Sequence, residues 1–186
     1  MIREVNIRTI VVQGLSVLFL CALIELGAGK VFEEMHGYTT ILPGLIVMVP
    51  PLLGLRGNIN GALASRLGTA LNAGLIRPRL VMSTEIKVNL ASSLILSVIA
   101  SATIGAFAFW VNVLTGAPTI GVFELMGIAI LAGFLSGLIL ASLTVLVAIV
   151  SYARGLDPDN VTSPTMASIG DFVTIACIYL AVLLVV

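Results

Sequence analysis

The sequence predicts an all-α integral membrane protein with five transmembrane helices, and three observations carry that prediction. Of the 186 residues, 59% are hydrophobic and only 10% are charged, where a soluble domain carries about a quarter. The mean hydropathy of +1.19 extends over the whole length, which leaves no room for a sizeable water-facing domain. The apolar residues fall into five runs, each long enough for the roughly 20 residues that cross a hydrocarbon core. The formal net charge is zero, so nothing favours nucleic acid as a partner. The lipid bilayer is the partner the composition demands. The whole chain, 1–186, reads as a single multi-pass domain of the cell membrane.

The first predicted helix covers 7–28. Arg3 and Arg8 ahead of an apolar stretch resemble a signal sequence. The stretch is longer than the h-region of about 7–15 residues, however, so it reads as a retained span. A polar patch follows with Lys30, Glu33, Glu34 and His36; the lone histidine is given no role. The second helix covers 39–70 and contains Pro43, Pro50 and Pro51, and a basic connection carries Arg77, Arg79 and Lys87. The third covers 85–114 and stops at the turn-forming Gly116-Ala117-Pro118. The fourth covers 120–152, with Glu124 placed where an acid suits the positive end of a helix dipole. After a polar loop from Arg154 to Asn160, the fifth covers 163–186. Ser163 is its expected N-cap and Pro164 its first helical residue.

Basic residues set the orientation, because they accumulate on the cytoplasmic side. With five spans and the N-terminus inside, Arg3, Arg8, Arg77, Arg79, Lys87 and Arg154 gather on the inner face and only Lys30 lies outside. The C-terminus is then outside. Cys21 and Cys177 lie within apolar runs and read as packing residues, not a disulfide. Gly57/Gly61 and Gly133/Gly137 have the four-residue spacing that lets helices approach closely, which is expected to serve packing within the membrane.

Two segments do not fit a lipid-facing helix. Gly54-Leu55-Arg56-Gly57-Asn58-Ile59-Asn60-Gly61 follows a double proline and is rich in glycine and polar side chains. One reading is irregular backbone facing a cavity, with its carbonyls, Asn58 and Asn60 replacing waters around a cation. The other is a kinked helix end with Arg56 reaching lipid phosphates. Asp171 is the second anomaly. It lies roughly 12 Å along a helix that starts at Ser163, near mid-membrane. A carboxylate at that depth marks function unless an arginine such as Arg56 or Arg66 neutralises it. Glu25, nearer the outer interface, reads equally as structural or functional. Asp159 and Asn160, with Asp157, form an oxygen-rich loop that is either a capped turn or an inner mouth attracting cations.

All these candidate ligands are oxygens, and one histidine with two cysteines cannot build a zinc or copper site. Oxygen ligands suit hard cations such as Mg²⁺ and Ca²⁺. One mid-membrane carboxylate per chain undersupplies a divalent ion. Two chains would supply two, which suits Mg²⁺ because it keeps several waters.

The segment Pro51-Leu52-Leu53-Gly54-Leu55-Arg56-Gly57-Asn58-Ile59-Asn60-Gly61, continuing through Ala64-Ser65-Arg66-Leu67 to Gly74, resembles the second-helix signature of MgtE-type magnesium transporters and their animal solute-carrier relatives. The run from Asp157-Pro158-Asp159-Asn160 through Pro164 and Ala167 to Gly170-Asp171 resembles their fifth-helix signature. The resemblance implies a homodimer with a central ion pathway that carries Mg²⁺ and uses no organic cofactor. It implies that Asp171 of each copy holds a hydrated Mg²⁺, that the carbonyl of Ala167 borders that site, and that Asn58 lines the path. It also implies a chain working without the soluble sensor that precedes the membrane part in bacterial members. A channel and an ion-coupled exchanger both fit. The alternatives are an intramembrane aspartyl protease, for which Gly170-Asp171 is a motif fragment, and a non-transporting membrane scaffold. The expectation is a transporter, not an enzyme.

Overall fold

A computed structural model describes residues 7–79, 81–155 and 158–185. They form six helices: α1 (Ile7–Glu34), α2 (His36–Ile41), α3 (Leu45–Asn72), α4 (Thr84–Thr115), α5 (Val122–Ala153) and α6 (Pro158–Val185). Three segments, Thr84–Thr115, Val122–Ala153 and Thr165–Val185, are long and apolar enough to cross a membrane. α4 and α5 coincide with the predicted third and fourth helices to within two residues. Ser83 caps α4, its Oγ accepting from the Ile86 N–H at 3.3 Å. Gly116 closes α4 in the left-handed region, at φ +70°.

The other three boundaries differ from expectation. α1 continues through the polar patch to Glu34. Lys30 pairs there with Glu33 at 2.8 Å and Glu34 at 3.8 Å, at the i+3 and i+4 spacings that make neighbours on a helix. The second long helix starts at Leu45 instead of 39, because Gly44 takes φ +93° and separates it from α2. Gly44 has no room for a side chain: a Cβ there would lie 2.7 Å from Thr119 Oγ1 and 2.9 Å from Asn112 Nδ2. Gly44→Ala is expected to cost about 2 kcal/mol, from the positive φ and the clash together. A fall in the thermal unfolding midpoint in detergent checks it. The last helix begins at Pro158, not at Ser163. Proline suits the first helical position in either place, and Pro158 occupies it here, so Ser163 is not the cap and Pro164 lies inside the helix.

The largest correction concerns α3. Its backbone is helical from Leu45 to Asn72, with Pro50 and Pro51 inside. The Gly54–Gly61 stretch is therefore not unwound, and its carbonyls belong to the helical ladder.

Packing places the polar residues at mid-height. One apolar cluster gathers Met35, Leu45, Met48, Leu52, Leu125, Ile128 and Ile178. A second gathers Leu63, Leu67, Leu71, Ile86 and Ile149. Along α3 the buried Arg56 and Asn60 lie between the two. α4 is inverted relative to a soluble helix. Ser93, Ser97, Ser101 and Gly105 face inward, while Ile95, Leu96, Ile99, Phe107 and Trp110 are exposed. That arrangement suits a lipid solvent, where small residues and hydroxyls hold helices together and bulky apolar side chains face out. α3 and α5 pack on each other and each packs on both α4 and α6, and α1 packs chiefly on α6.

Candidate functional site

The placement of α1 leaves a furrow between α1 and α3, floored by α6. It opens into a cavity of about 400 Å³ lined by Glu25, Ala28, Gly29 and Phe32 of α1, Ile46, Val49, Pro50 and Leu53 of α3, and Asp171 and Ile175 of α6. Asp171 stands thirteen residues after Pro158 and fourteen before Val185, at the middle of α6. It is half-buried. Among the described residues its charge is not matched by an arginine, since the ion pairs there are those of Lys30 alone. Arg66 reaches Ser93 Oγ at 3.4 Å.

Glu25 belongs to the same cavity. Ser168, buried on α6 one turn before Asp171, donates its hydroxyl to Glu25 Oε1 at 3.2 Å. Nothing in the sequence marks Ser168 as a partner for Glu25, since the two are 143 residues apart.

The asparagines divide. On a continuous helix, residues two apart point to nearly opposite sides. Asn58 accordingly lies on the exposed face of α3, while Asn60 is 2% exposed with its Nδ2 unpartnered. The two amides thus face opposite sides of α3. Ala167 is exposed, one turn before Asp171. Asn58 and Ala167 lie outside the cavity lining, on the outward faces of their helices. Asp159 and Asn160 fall in the first turn of α6, but their side chains, like Asp157, lie outside the described residues.

Arg56 does not reach a lipid interface. It is 1% exposed. Its Nη1 donates to Ser97 Oγ, and its Nη2 donates to Ser101 Oγ at 3.3 Å and to the Gly133 carbonyl at 2.9 Å. Ser97 Oγ also donates to that carbonyl, at 2.7 Å. A Cβ on Gly137 would lie 2.6 Å from Ser97 Oγ and 3.1 Å from Arg56 Nη1. The Gly133/Gly137 pair thus makes a cradle for a guanidinium within one chain. The serines at 93, 97 and 101, four apart, were the signal in the sequence for this inward polar face. Both cysteines are free.

Among the described residues no three His, Cys, Asp or Glu side chains converge. One chain therefore brings two carboxylates, one of them deep, to an open cavity beside a continuous helix.

The sequence profile of MgtE, described as a divalent cation transporter, matches residues 49–181. Solute carrier family 41 member 3 of Rattus norvegicus is 32% identical over 171 residues, covering 88% of this chain and 36% of the relative. Solute carrier family 41 member 2 of Xenopus laevis is 32% identical over 161 residues, covering 80% and 27%. The member 2 protein of Homo sapiens is 32% identical over 142 residues, covering 71% and 23%. The chain spans about a third or less of the length of these relatives. Both signatures, the glycine- and asparagine-bearing stretch of α3 and the Asp171 stretch of α6, fall inside the matched region, and the chain belongs to the MgtE family of divalent cation transporters, a family of transporters and not of enzymes.

Proposed function

We propose that this chain carries Mg²⁺, or another hard divalent cation, across the cell membrane through a pathway that two copies complete, with Asp171 of each copy at its centre. The observation that carries this reading is Asp171 itself. It sits at the midpoint of a long apolar helix, half-buried, on the floor of an open furrow, with no arginine to neutralise it among the described residues. A carboxylate in that position is costly unless water or a cation reaches it. A single chain is undersupplied for a divalent ion, and a second copy closing the furrow doubles the carboxylates. Mg²⁺ suits such a site because it keeps much of its water and needs one or two carboxylates.

The exposed positions of Ala167 and Asn58 leave the Ala167 neighbourhood and the Asn58 amide available to a path between copies. Asn60 faces inward within its own chain. Asp159 and Asn160, at the start of α6, stand where a cation entering from the inner side would meet oxygen ligands. In this reading all five long helices span the bilayer, with the N-terminus inside. The basic residues Arg77, Arg79, Lys87 and Arg154 then share the cytoplasmic end.

The test is Mg²⁺ uptake into proteoliposomes followed with an entrapped Mg²⁺ indicator. Wild type is expected to take up the ion and Asp171→Ala to lose that uptake. Equal flux through both proteins overturns the assignment of Asp171. No flux through wild type would favour a scaffold.

A further inference from the structure

The double proline of α3 has a consequence at the Asp171 cavity. In an α-helix the carbonyl of residue i accepts from the N–H of residue i+4. Ile46 would need the N–H of residue 50, which is Pro50 and has none. The next N–H along, which a wider helical turn would use, belongs to residue 51, which is also proline. The Val49 N–H is committed in helical register to Leu45. The Ile46 carbonyl therefore lacks its α-helical donor. Val47 loses its donor in the same way, since residue 51 is proline and the Leu52 N–H is committed in helical register to Met48, but Val47 and Pro51 line a different cavity, with Ile104 and Phe107.

Ile46 and Pro50 both line the Asp171 cavity, and both are exposed on that side of α3. A helical carbonyl points along its helix toward the residue four places on, so the Ile46 oxygen is directed at the Pro50 position on the cavity wall. A free carbonyl at membrane depth is costly unless something else occupies it. Across the same cavity stands Glu25, held by Ser168, on the lining it shares with Asp171. Two carboxylates sharing one cavity repel each other, and a cation between them relieves the repulsion. The volume is adequate. Six waters around an ion occupy roughly 180 Å³ at about 30 Å³ each, within a cavity of about 400 Å³.

We propose that this cavity is a second cation position within a single protomer, where the Glu25 carboxylate and the proline-freed carbonyl of Ile46 hold a hydrated divalent cation next to Asp171. The proposal rests on the reading of the chain as a divalent cation transporter. Glu25 and Pro50 act on loading. Glu25 supplies charge, and Pro50 keeps the carbonyl unoccupied by the helix.

Pro50→Ala is the decisive variant, because it returns an N–H to Ile46 and favours the helix. A purely structural role for Pro50 predicts a more stable protein with unchanged transport. A role in loading predicts a more stable protein whose KM for Mg²⁺ rises about threefold. Glu25→Gln is expected to raise KM about tenfold with a smaller change in maximal rate. Proteoliposome uptake gives both constants, and the thermal midpoint in detergent reports folding. Mn²⁺ binding, read by electron paramagnetic resonance in detergent, supplies a measurement independent of flux. Asp171→Ala should keep a Mn²⁺ site that the further change Glu25→Gln removes. If both single variants keep KM within twofold of wild type while Asp171→Ala abolishes uptake, the second position is overturned and the Asp171 reading stands. If Asp171→Ala transports normally, both fall together.

Discussion

Asp171→Asn is expected to lower Mg²⁺ flux at least a hundredfold without unfolding the protein. The substitution keeps the shape and removes one negative charge per copy, two in the proposed pathway. A hydrogen bond to a charged group contributes about 1.5–3 kcal/mol, and bonds from the ion's water shell to two carboxylates are weakened at once. A combined loss of about 3 kcal/mol corresponds to roughly a hundredfold at 1.36 kcal/mol per decade. Stability should move the other way. Asp171 is half-buried at mid-helix without an arginine partner among the described residues, so neutralising it breaks no ion pair and relieves desolvation. The thermal midpoint should hold or rise while flux falls. A structural carboxylate would show the opposite pattern, a falling midpoint with flux lost only through unfolding. Asp171→Glu should retain part of the flux, because the charge survives and only its reach changes.

Asp171 was legible in the sequence because depth needs no side-chain geometry. An acid with long apolar runs on either side is anomalous on composition alone. α4 and α5 were legible for the same reason, as uninterrupted apolar runs bounded by Ser83, Gly116 and Gly121. The starts of α3 and α6 were not: an apolar run reads on from residue 39 across the left-handed Gly44 that divides α2 from α3, and two prolines, Pro158 and Pro164, each suit the first turn of α6. The double proline read as a break. In the fold it sits close to the start of α3, where the missing N–H groups concern the carbonyls of Ile46 and Val47, and buried Leu52, Leu63 and Leu67 hold the rest of the helix in the core. Once α3 is continuous, Asn58 and Asn60 must separate, and no composition argument could have told them apart. The Glu25–Ser168 contact joins the first and last helices and is a product of tertiary packing. Arg56 illustrates the same limit from the opposite side. One of its two readings puts it at an interface, because an arginine in lipid seeks water, but the serines of α4 and a bare glycine carbonyl of α5 accept its N–H groups inside the bundle.

That buried arginine sets up the largest expected effect on stability. Gly137→Val should destabilise the protein by about 3 kcal/mol. A Cβ at Gly137 would lie 2.6 Å from Ser97 Oγ and 3.1 Å from Arg56 Nη1. Neither group can step aside freely. Ser97 is fully buried and donates to the Gly133 carbonyl at 2.7 Å, and Arg56 is tied to Ser101 and to that same carbonyl. Overpacking of this kind costs about 1–3 kcal/mol, and a displaced hydrogen bond to a charged group adds about 1.5–3 kcal/mol. The better helix propensity of valine over glycine returns less than about 1 kcal/mol. The control lies on the same helix. Gly127 is exposed and has open space around a would-be Cβ, so Gly127→Val should leave the thermal midpoint in detergent nearly unchanged. The cause can then be isolated by a second change. Ser97→Ala removes the oxygen that the new side chain meets first. If the guanidinium cradle is what Gly137 protects, the double variant Gly137→Val/Ser97→Ala should be more stable than the sum of the single effects by about 1 kcal/mol or more. Strict additivity would mean instead that the glycine serves helix approach in general, and that Arg56 could shift without cost.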